Sequence, residues 1–379
     1  MRIFVESDSI ALEKTSGIGN ATSEILRSFD QMTEQDPSLK VTAIVPFGRK
    51  QYVQSKYSFK NVKIAVLPPG YKYINYALTR TSVPLWPDLW YGRGVYVFPN
   101  YKTWSVPFSQ AVTFVHDLAH IRLPHTTHPK NLTYLNANFI RWLKRADVLA
   151  TISKSSANDI AEFFPEYASK TKLAYLGVNT DFYKKQSSEE VSAVRKRWDL
   201  PDKYLLYVGS IEPRKNILTL LNVYQQYTDT YKTDNIGLVL IGGDGWKNEA
   251  IIKKLNQLKS AGYNIVHPEE YVDDADLPAI YSGATALVHP AIYEGFGLSI
   301  LQAMACGLPV ITGNNSSLPE VVGNAGIMVD VAQKDELCKA IRSVVSDKKY
   351  QHELQRKGLQ RAYEFSWNNT CRAIMDSVK

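Results

Sequence analysis

HPAIYEGFGLSILQAMACGLPV, residues 289–310, is the stretch from which the rest of the chain is best read. Ala286, Leu287 and Val288 lead into it as the end of an apolar run, which predicts a buried strand. A polar turn punctuated by glycine follows. Residues 298–305 then have helix-forming composition, stopped by Gly307 and Pro309. A strand, a glycine turn and a buried helix in succession make a site for an anionic ligand. Gly295 and Gly297 let backbone approach closely, and the free N–H groups of the helix start favour negative charge. Glu294 stands at the mouth of the turn. Gln302 lies two helical turns further on, so it can face the same ligand. An amide among Leu298, Leu301 and Met304 needs a hydrogen-bonding partner.

The chain has 379 residues, enough for two domains of ordinary size, and 45% of them are hydrophobic. No apolar run is long enough to span a bilayer, and the start MRIFVES lacks the apolar core of a signal peptide. The three cysteines (Cys306, Cys338 and Cys371) have no metal-ligand spacing, which fits a reducing cytoplasm. Charge is unevenly spread. Residues 37–116 carry ten Lys or Arg against one acid, Asp88, interleaved with Tyr52, Tyr57, Tyr71, Tyr73, Tyr76, Trp86 and Trp90. Such a segment predicts a polyanionic partner surface, an anionic membrane face foremost, with an acidic soluble glycan as the alternative.

Along the first half, strands are predicted at residues 2–6, 41–46, 62–67, 95–98, 111–115 and 148–152. The glycine loop at Gly17 and Gly19 precedes a helix from Ala21. It is only a partial dinucleotide fingerprint, because Thr22 occupies the third glycine position. Residues 71–89 read as a helix interrupted by Pro84 and Pro87. The strand 111–115 ends in His116-Asp117, and open parallel sheets place ligand groups at such strand ends. A polar stretch, 183–200, reads as a linker. The second half restarts the alternation with strand 204–208, helix 217–230, strand 236–241, helix 248–261, helix 277–283 and strand 285–288. Residues 323–330 read as irregular, and helices are expected at 335–345, 350–365 and 367–378. Two alternating blocks predict an α/β protein with two parallel sheets, each covered on both faces.

The turn after residue 208 carries Ser210, Arg214 and Lys215, fixed positive charge where a pyrophosphate would sit opposite Glu294. Asp274 and Asp276 have the Asp-x-Asp spacing of some metal sites, but they precede an apolar helix and are read as its cap.

Together these features resemble retaining glycosyltransferase family 4, the Glu-x7-Glu type, over nearly the whole chain. The resemblance implies two Rossmann-like domains facing across a cleft, the GT-B fold, with the last helix crossing back to the first domain. The expected limits are 1–185 for an acceptor-binding domain, 186–365 for a nucleotide-sugar-binding domain and 366–379 for the returning helix. It implies that Glu294 sits beside the donor sugar and that Gly295, Phe296, Gly297 and Leu298 cover sugar and phosphates. Gln302 stands where the family has its second, ribose-binding Glu. His116 and Asp117 would border the sugar, and Gly17 and Gly19 would face the cleft. Lys215 would bind the diphosphate. Arg214 would replace the charge that many members carry at the place of Ser210, and Val272 would lie at the nucleobase turn.

The catalytic set implied is therefore Glu294, His116 and Lys215. The expected activity is transfer of a mannose-, glucose- or rhamnose-like hexose from a nucleotide diphosphate sugar to a glycan or lipid-linked acceptor, with retention. No metal, no other cofactor and no nucleic acid are expected. The work would be done in the cytoplasm or on the inner membrane face. A non-catalytic sugar-nucleotide binder and a sugar-nucleotide epimerase are the alternatives.

Overall fold

The computed structural model describes residues 1–13, 16–81 and 86–379. Its chain forms two compact units. One comprises residues 1–118, 129–177 and 366–379, and the other residues 119–128 and 178–365.

The first unit is built on a seven-stranded, all-parallel sheet ordered β3-β2-β1-β4-β5-β6-β7. The strands are β1 (Arg2–Glu6), β2 (Lys40–Val45), β3 (Lys63–Val66), β4 (Val95–Phe98), β5 (Gln110–Val115), β6 (Val148–Thr151) and β7 (Thr171–Leu173). The middle strands are nearly continuous apolar runs because both faces are covered, as parallel sheets require. Phe4, Tyr96, Phe98 and Trp104 fill one side of the core, with Phe4 stacked on Tyr96 at 4.6 Å. The helix Trp367–Asp376 belongs to this unit. Its Asn368 accepts a hydrogen bond from Ser28 at 2.6 Å, and Trp367 is buried where any side chain at Gly177 would strike its backbone.

The second unit repeats the plan with six parallel strands ordered β10-β9-β8-β11-β12-β13. These are β8 (Tyr204–Val208), β9 (Gly237–Ile241), β10 (Ile265–Val266), β11 (Ala286–His289), β12 (Val310–Gly313) and β13 (Ile327–Val329). Leu205, Tyr207, Leu238, Leu240 and Val288 of the sheet pack on Leu220 and Tyr224 of the helix Ile217–Thr230.

Several expectations are corrected. Residues 178–185 group with the second unit, because Val178 and Tyr183 are buried and Tyr183 packs edge-on against Tyr281 at 6.3 Å. Residues 119–128 do so too, since Trp246 Nε1 donates to the Thr126 carbonyl at 2.5 Å. The supposed linker contains a helix, Ser188–Arg197, started by a capping box between Ser187 and Glu190. Residues 327–329 are a strand rather than irregular. Of residues 71–89, the structure describes helices Tyr71–Arg80 and Pro87–Trp90; Pro84 lies outside the described residues.

Candidate active site

Both sheets carry polar residues at the C-terminal ends of their strands. In the second unit the site is assembled from two loops that follow neighbouring strands, β8 and β11. Beyond β8 the chain turns sharply at Gly209, whose carbonyl would lie 2.0 Å from a Cβ at Gly242, so this loop packs on the one after β9 only because Gly242 has none. The segment Pro213–Lys215 forms one 3-10 turn, and left-handed Asn216 (φ 58°) opens the following helix. Beyond β11, residues 290–297 lead into the helix Leu298–Ala305. Gly297 takes φ 102° at the helix start, and a Cβ there would meet Ile300 at 3.0 Å. The φ of Gly297 lies in the left-handed region that favours glycine.

Glu294, 7% exposed, is the hub. Its Oε1 accepts from Lys215 Nζ and, at 2.7 Å, from His289 Nε2. Its Oε2 lies 3.4 Å from Arg214 Nη1. Burial by itself would raise the carboxyl pKa. The Lys215 ammonium, the His289 hydrogen bond and the Arg214 guanidinium outweigh it and hold Glu294 well below the usual carboxylate range. His289 is driven the other way: burial lowers its pKa against the pull of Glu294, so the ring is neutral. With Nδ1 buried and unpartnered, the Nε2–H tautomer is the one consistent with a donor to Glu294. The imidazole stacks on Tyr207 at 5.7 Å, and Tyr207 donates to the Ser210 carbonyl at 2.9 Å.

The two loops are also fastened directly. Arg214 donates to the Tyr293 carbonyl at 3.1 Å, and Ile292 N–H donates to the Arg214 carbonyl at 2.9 Å. Glu212 holds the other face of the guanidinium at 3.0 Å. Ser316 and Ser317 clamp the Glu294 backbone: its N–H donates to Ser316 Oγ at 3.0 Å, and its carbonyl accepts from Ser317 Oγ at 2.9 Å. Two cations, Arg214 and Lys215, thus face two carboxylates, Glu212 and Glu294, and the cluster as it stands is neutral.

Gln302 is buried, and its Oε1 accepts from Tyr281 at 3.2 Å, which orients the amide. Phe296 spends its ring in packing, edge-on to Phe365 at 5.8 Å, so only its backbone is left for a ligand. Leu298 opens the helix, Val272 is buried, and Tyr271 beside it is exposed. The capping assignment is corrected. Asp273 makes the cap, accepting from Ala275 N–H at 2.9 Å. Asp276 instead pairs with Arg197 at 2.7 and 2.9 Å and with Trp198 Nε1 at 2.8 Å.

His116, Asp117, Gly17 and Gly19 belong to the first unit. His116 follows β5 and its Nε2 bonds the Pro99 carbonyl at 2.6 Å; burial lowers its pKa. The glycine loop is not a loop. Gly17 and Gly19 form the first turn of the helix Gly17–Gln35, because Ser16 accepts from Gly19 N–H and caps it. Thr22 is fully buried, donating to the Ile18 carbonyl at 2.7 Å and accepting from Ser9.

Sequence reasoning missed Glu212, His289, Ser316 and Ser317. His289 opens the deciding stretch, and Glu212 lies two residues before Arg214 in the quoted turn. The signal for the serines was the hydroxyl- and amide-rich run at 314–317.

Residues 177–361 match the family described as glycosyl transferases group 1. The chain is 31% identical over 305 residues to the O-antigen chain mannosyltransferase B of Escherichia coli, covering 80% of this chain and 79% of that protein. It is 24% identical over 405 residues to the E. coli serotype-specific mannosyltransferase WbdA, covering 99% of this chain but only 48% of WbdA, so it spans about half that relative's length. Among solved structures, Anabaena HepE in complex with UDP-glucose superposes with a TM-score of 0.71 at 16% identity, over 100% of this chain and 98% of the other, a likeness of fold. The two Rossmann-like sheets are those of the GT-B architecture. On the strength of its 31% identity to mannosyltransferase B across four-fifths of its length, the chain belongs to the group 1 glycosyl transferases.

Proposed function

We propose that the protein transfers a hexose, mannose by its likeness to the two E. coli mannosyltransferases, from a nucleotide diphosphate sugar to a hydroxyl of a glycan or lipid-linked acceptor, with retention of configuration. The observation that carries this reading is the neutral cluster of Lys215, Arg214, Glu212 and Glu294 beside the start of the helix Leu298–Ala305. An arriving diphosphate brings the negative charge for which Lys215 and the helix N–H groups are placed. Lys215 turns to it, and Glu294 is released to accept hydrogen bonds from sugar hydroxyls. Because its pKa is held low, Glu294 orients the sugar as a carboxylate and does not act as an acid. Fixed positive charge at the leaving diphosphate is the main catalytic term. The diphosphate oxygen takes the acceptor's proton, so the reaction needs no protein base.

In the same reading His116 and Asp117 border the sugar, Ser210, Gly295, Phe296 and Leu298 present backbone to the donor, Val272 lies at the base, and Gln302 holds the ribose. No metal takes part: the carboxylate of Asp276 is engaged by Arg197 and Trp198, which leaves the Asp-x-Asp pair without a free chelating set. The enzyme works at the cytoplasmic face of a membrane. The basic first unit supports this, with Tyr73 84% exposed and Trp90 51% exposed, while no helix among the described residues is long and apolar enough to cross a bilayer.

The test is incubation with GDP- and UDP-linked hexoses and a mannose-terminated acceptor, followed by detection of released nucleoside diphosphate and NMR of the new anomeric centre. Product of inverted configuration, or nucleotide binding without release, would refute the reading.

A further inference from the structure

Strand β11 ends on His289, whose imidazole is 1% exposed and whose register partner in β12 is the buried Thr312. The ring is fixed by its neighbours as well as by its strand. One face stacks on Tyr207 of β8, with the planes 10° apart. Tyr207 is itself pinned: its hydroxyl donates to the Ser210 carbonyl at 2.9 Å and lies under Gly209, where a Cβ would come within 2.8 Å of it. At the ring edge, Nε2 meets Glu294 Oε1 at 2.7 Å, while Nδ1 is buried without a partner. A proton on Nδ1 would be a donor with no acceptor, whereas on Nε2 it meets a carboxylate. His289 therefore donates to Glu294 and to nothing else. With Nδ1 sealed off, the ring is not a link in a proton path.

The other side-chain partners of Glu294 are of a different kind. Lys215 shares Oε1, and Arg214 stands 3.4 Å from Oε2, longer than an ordinary N–H···O bond. Both are cations on the turn after β8, and an arriving anion draws both. His289 sits on a strand and is uncharged, because burial, with Lys215 and Arg214 beside it, outweighs the pull of Glu294. A diphosphate has no hold on it. We propose that His289 is a positioning residue for Glu294: when Lys215 turns to the diphosphate, the Nε2–H bond keeps Oε1 in place, so the carboxylate meets the sugar hydroxyls in one fixed orientation. As an uncharged donor it fixes the carboxylate without neutralising it, which a third cation in its place would do. The role rests on the donor-site reading above. It makes a specific demand, that His289 matters for the sugar and not for the nucleoside diphosphate.

Gln and Asn separate the two ring nitrogens. The Gln amide nitrogen lies as far along the side chain as Nε2, and the Asn nitrogen only as far as Nδ1. Calorimetry on the full-length wild type, His289→Gln and His289→Asn compares GDP with GDP-mannose and UDP with UDP-glucose, and steady-state transfer is measured alongside. In H289N, loss of a hydrogen bond to a charged group should weaken sugar-nucleotide binding and lower donor kcat/KM by about tenfold or more. Binding of the nucleoside diphosphate and the acceptor KM should stay at wild-type values, and H289Q should restore most of the loss. Long-range proton–nitrogen NMR of the wild type at neutral pH, with the His289 signal assigned by its loss in H289Q, should show the neutral Nε2–H tautomer. That arm does not depend on H289N, and retained nucleoside diphosphate binding reports that each variant is folded. Equal loss of diphosphate and sugar-diphosphate affinity, the mark of a structural role, would overturn the proposal. So would an unchanged sugar preference in H289N, a Gln variant no better than Asn, or a ring that is charged or protonated on Nδ1. Absence of turnover in the wild type, with the sugar preference still lost in H289N, would overturn the transferase reading alone. Binding of neither pair to the wild type would overturn both.

Discussion

Replacing Lys215 with Ala probes the donor site most directly. The ammonium is 11% exposed at its side chain and faces a carboxylate 9% exposed, so both lie where solvent screens weakly. Two effects follow. The first is on folding: breaking a buried pair costs about 3–5 kcal/mol when the remaining charge is stranded. Glu294 keeps His289 at 2.7 Å and Arg214 at 3.4 Å, so the cost should fall below that range, to about 1–2 kcal/mol. The second is on catalysis. A preorganised donor aimed at developing charge is worth about 2–4 kcal/mol, hence roughly 30- to 1000-fold in kcat/KM. The two effects are separated by Lys215→Ala with Glu294→Gln. The double variant removes the stranded charge and should regain stability in urea unfolding, while remaining as inactive as K215A or worse. Stability is read from the unfolding midpoint at constant m, and activity from nucleoside diphosphate release. A folded K215A enzyme with unchanged kcat/KM would refute the assignment of Lys215 to the diphosphate. Recovery of activity in the double variant would refute the exchange of partners.

Other outcomes are expected with the same logic. Glu6 has its pKa raised in the folded state, so the proton it retains stabilises the fold below the unfolded value of about 4.5, and this contribution is lost as pH rises through about 8. Glu6→Gln should therefore gain Tm relative to wild type progressively between pH 5 and pH 9 by about the linkage amount, and a pH-independent difference would remove the burial argument. Gln302→Leu should raise the donor KM several-fold while Gln302→Glu is tolerated, and Tyr281→Phe, which frees the amide, should cost about 1 kcal/mol of stability; an unchanged donor KM in Q302L leaves the residue to packing. Co-sedimentation should show binding to anionic vesicles at low salt, lost at about 1 M salt where screening shortens to about 3 Å, and no binding to neutral ones. Excess chelator should leave the transfer rate unchanged; loss restored by manganese would bring Asp274 and Asp276 back as ligands.

Much of this was written in the chain itself. Strong periodicity and clean stops placed the helices Ile217–Thr230 and Leu277–Gly283 at their observed limits, because apolar spacing and flanking polar residues act locally. The deciding stretch and the basic turn after β8 singled out Glu294 and Lys215, the latter through the family resemblance rather than its spacing, and the fold pairs the two. Short strands such as β12 and β13 were not legible, because three or four apolar residues fit several conformations. The helix at Ser188–Arg197 was legible, through Ser187 and Glu190, but its polar composition masked it.

What only the tertiary structure decided are the pairings between residues far apart in sequence. Glu294 meets Lys215 and Arg214 across about eighty positions because β8 and β11 are neighbours, an order that no local pattern specifies. The same holds for Asp276, which has the look of a cap until Arg197 and Trp198 fold against it. Asp8 opens a short 3-10 turn, and only the fold brings Asn75 and Trp104 against it. Local energetics set where elements begin and end; desolvation, which makes the Glu294 carboxylate a hub, depends on what the fold brings around it.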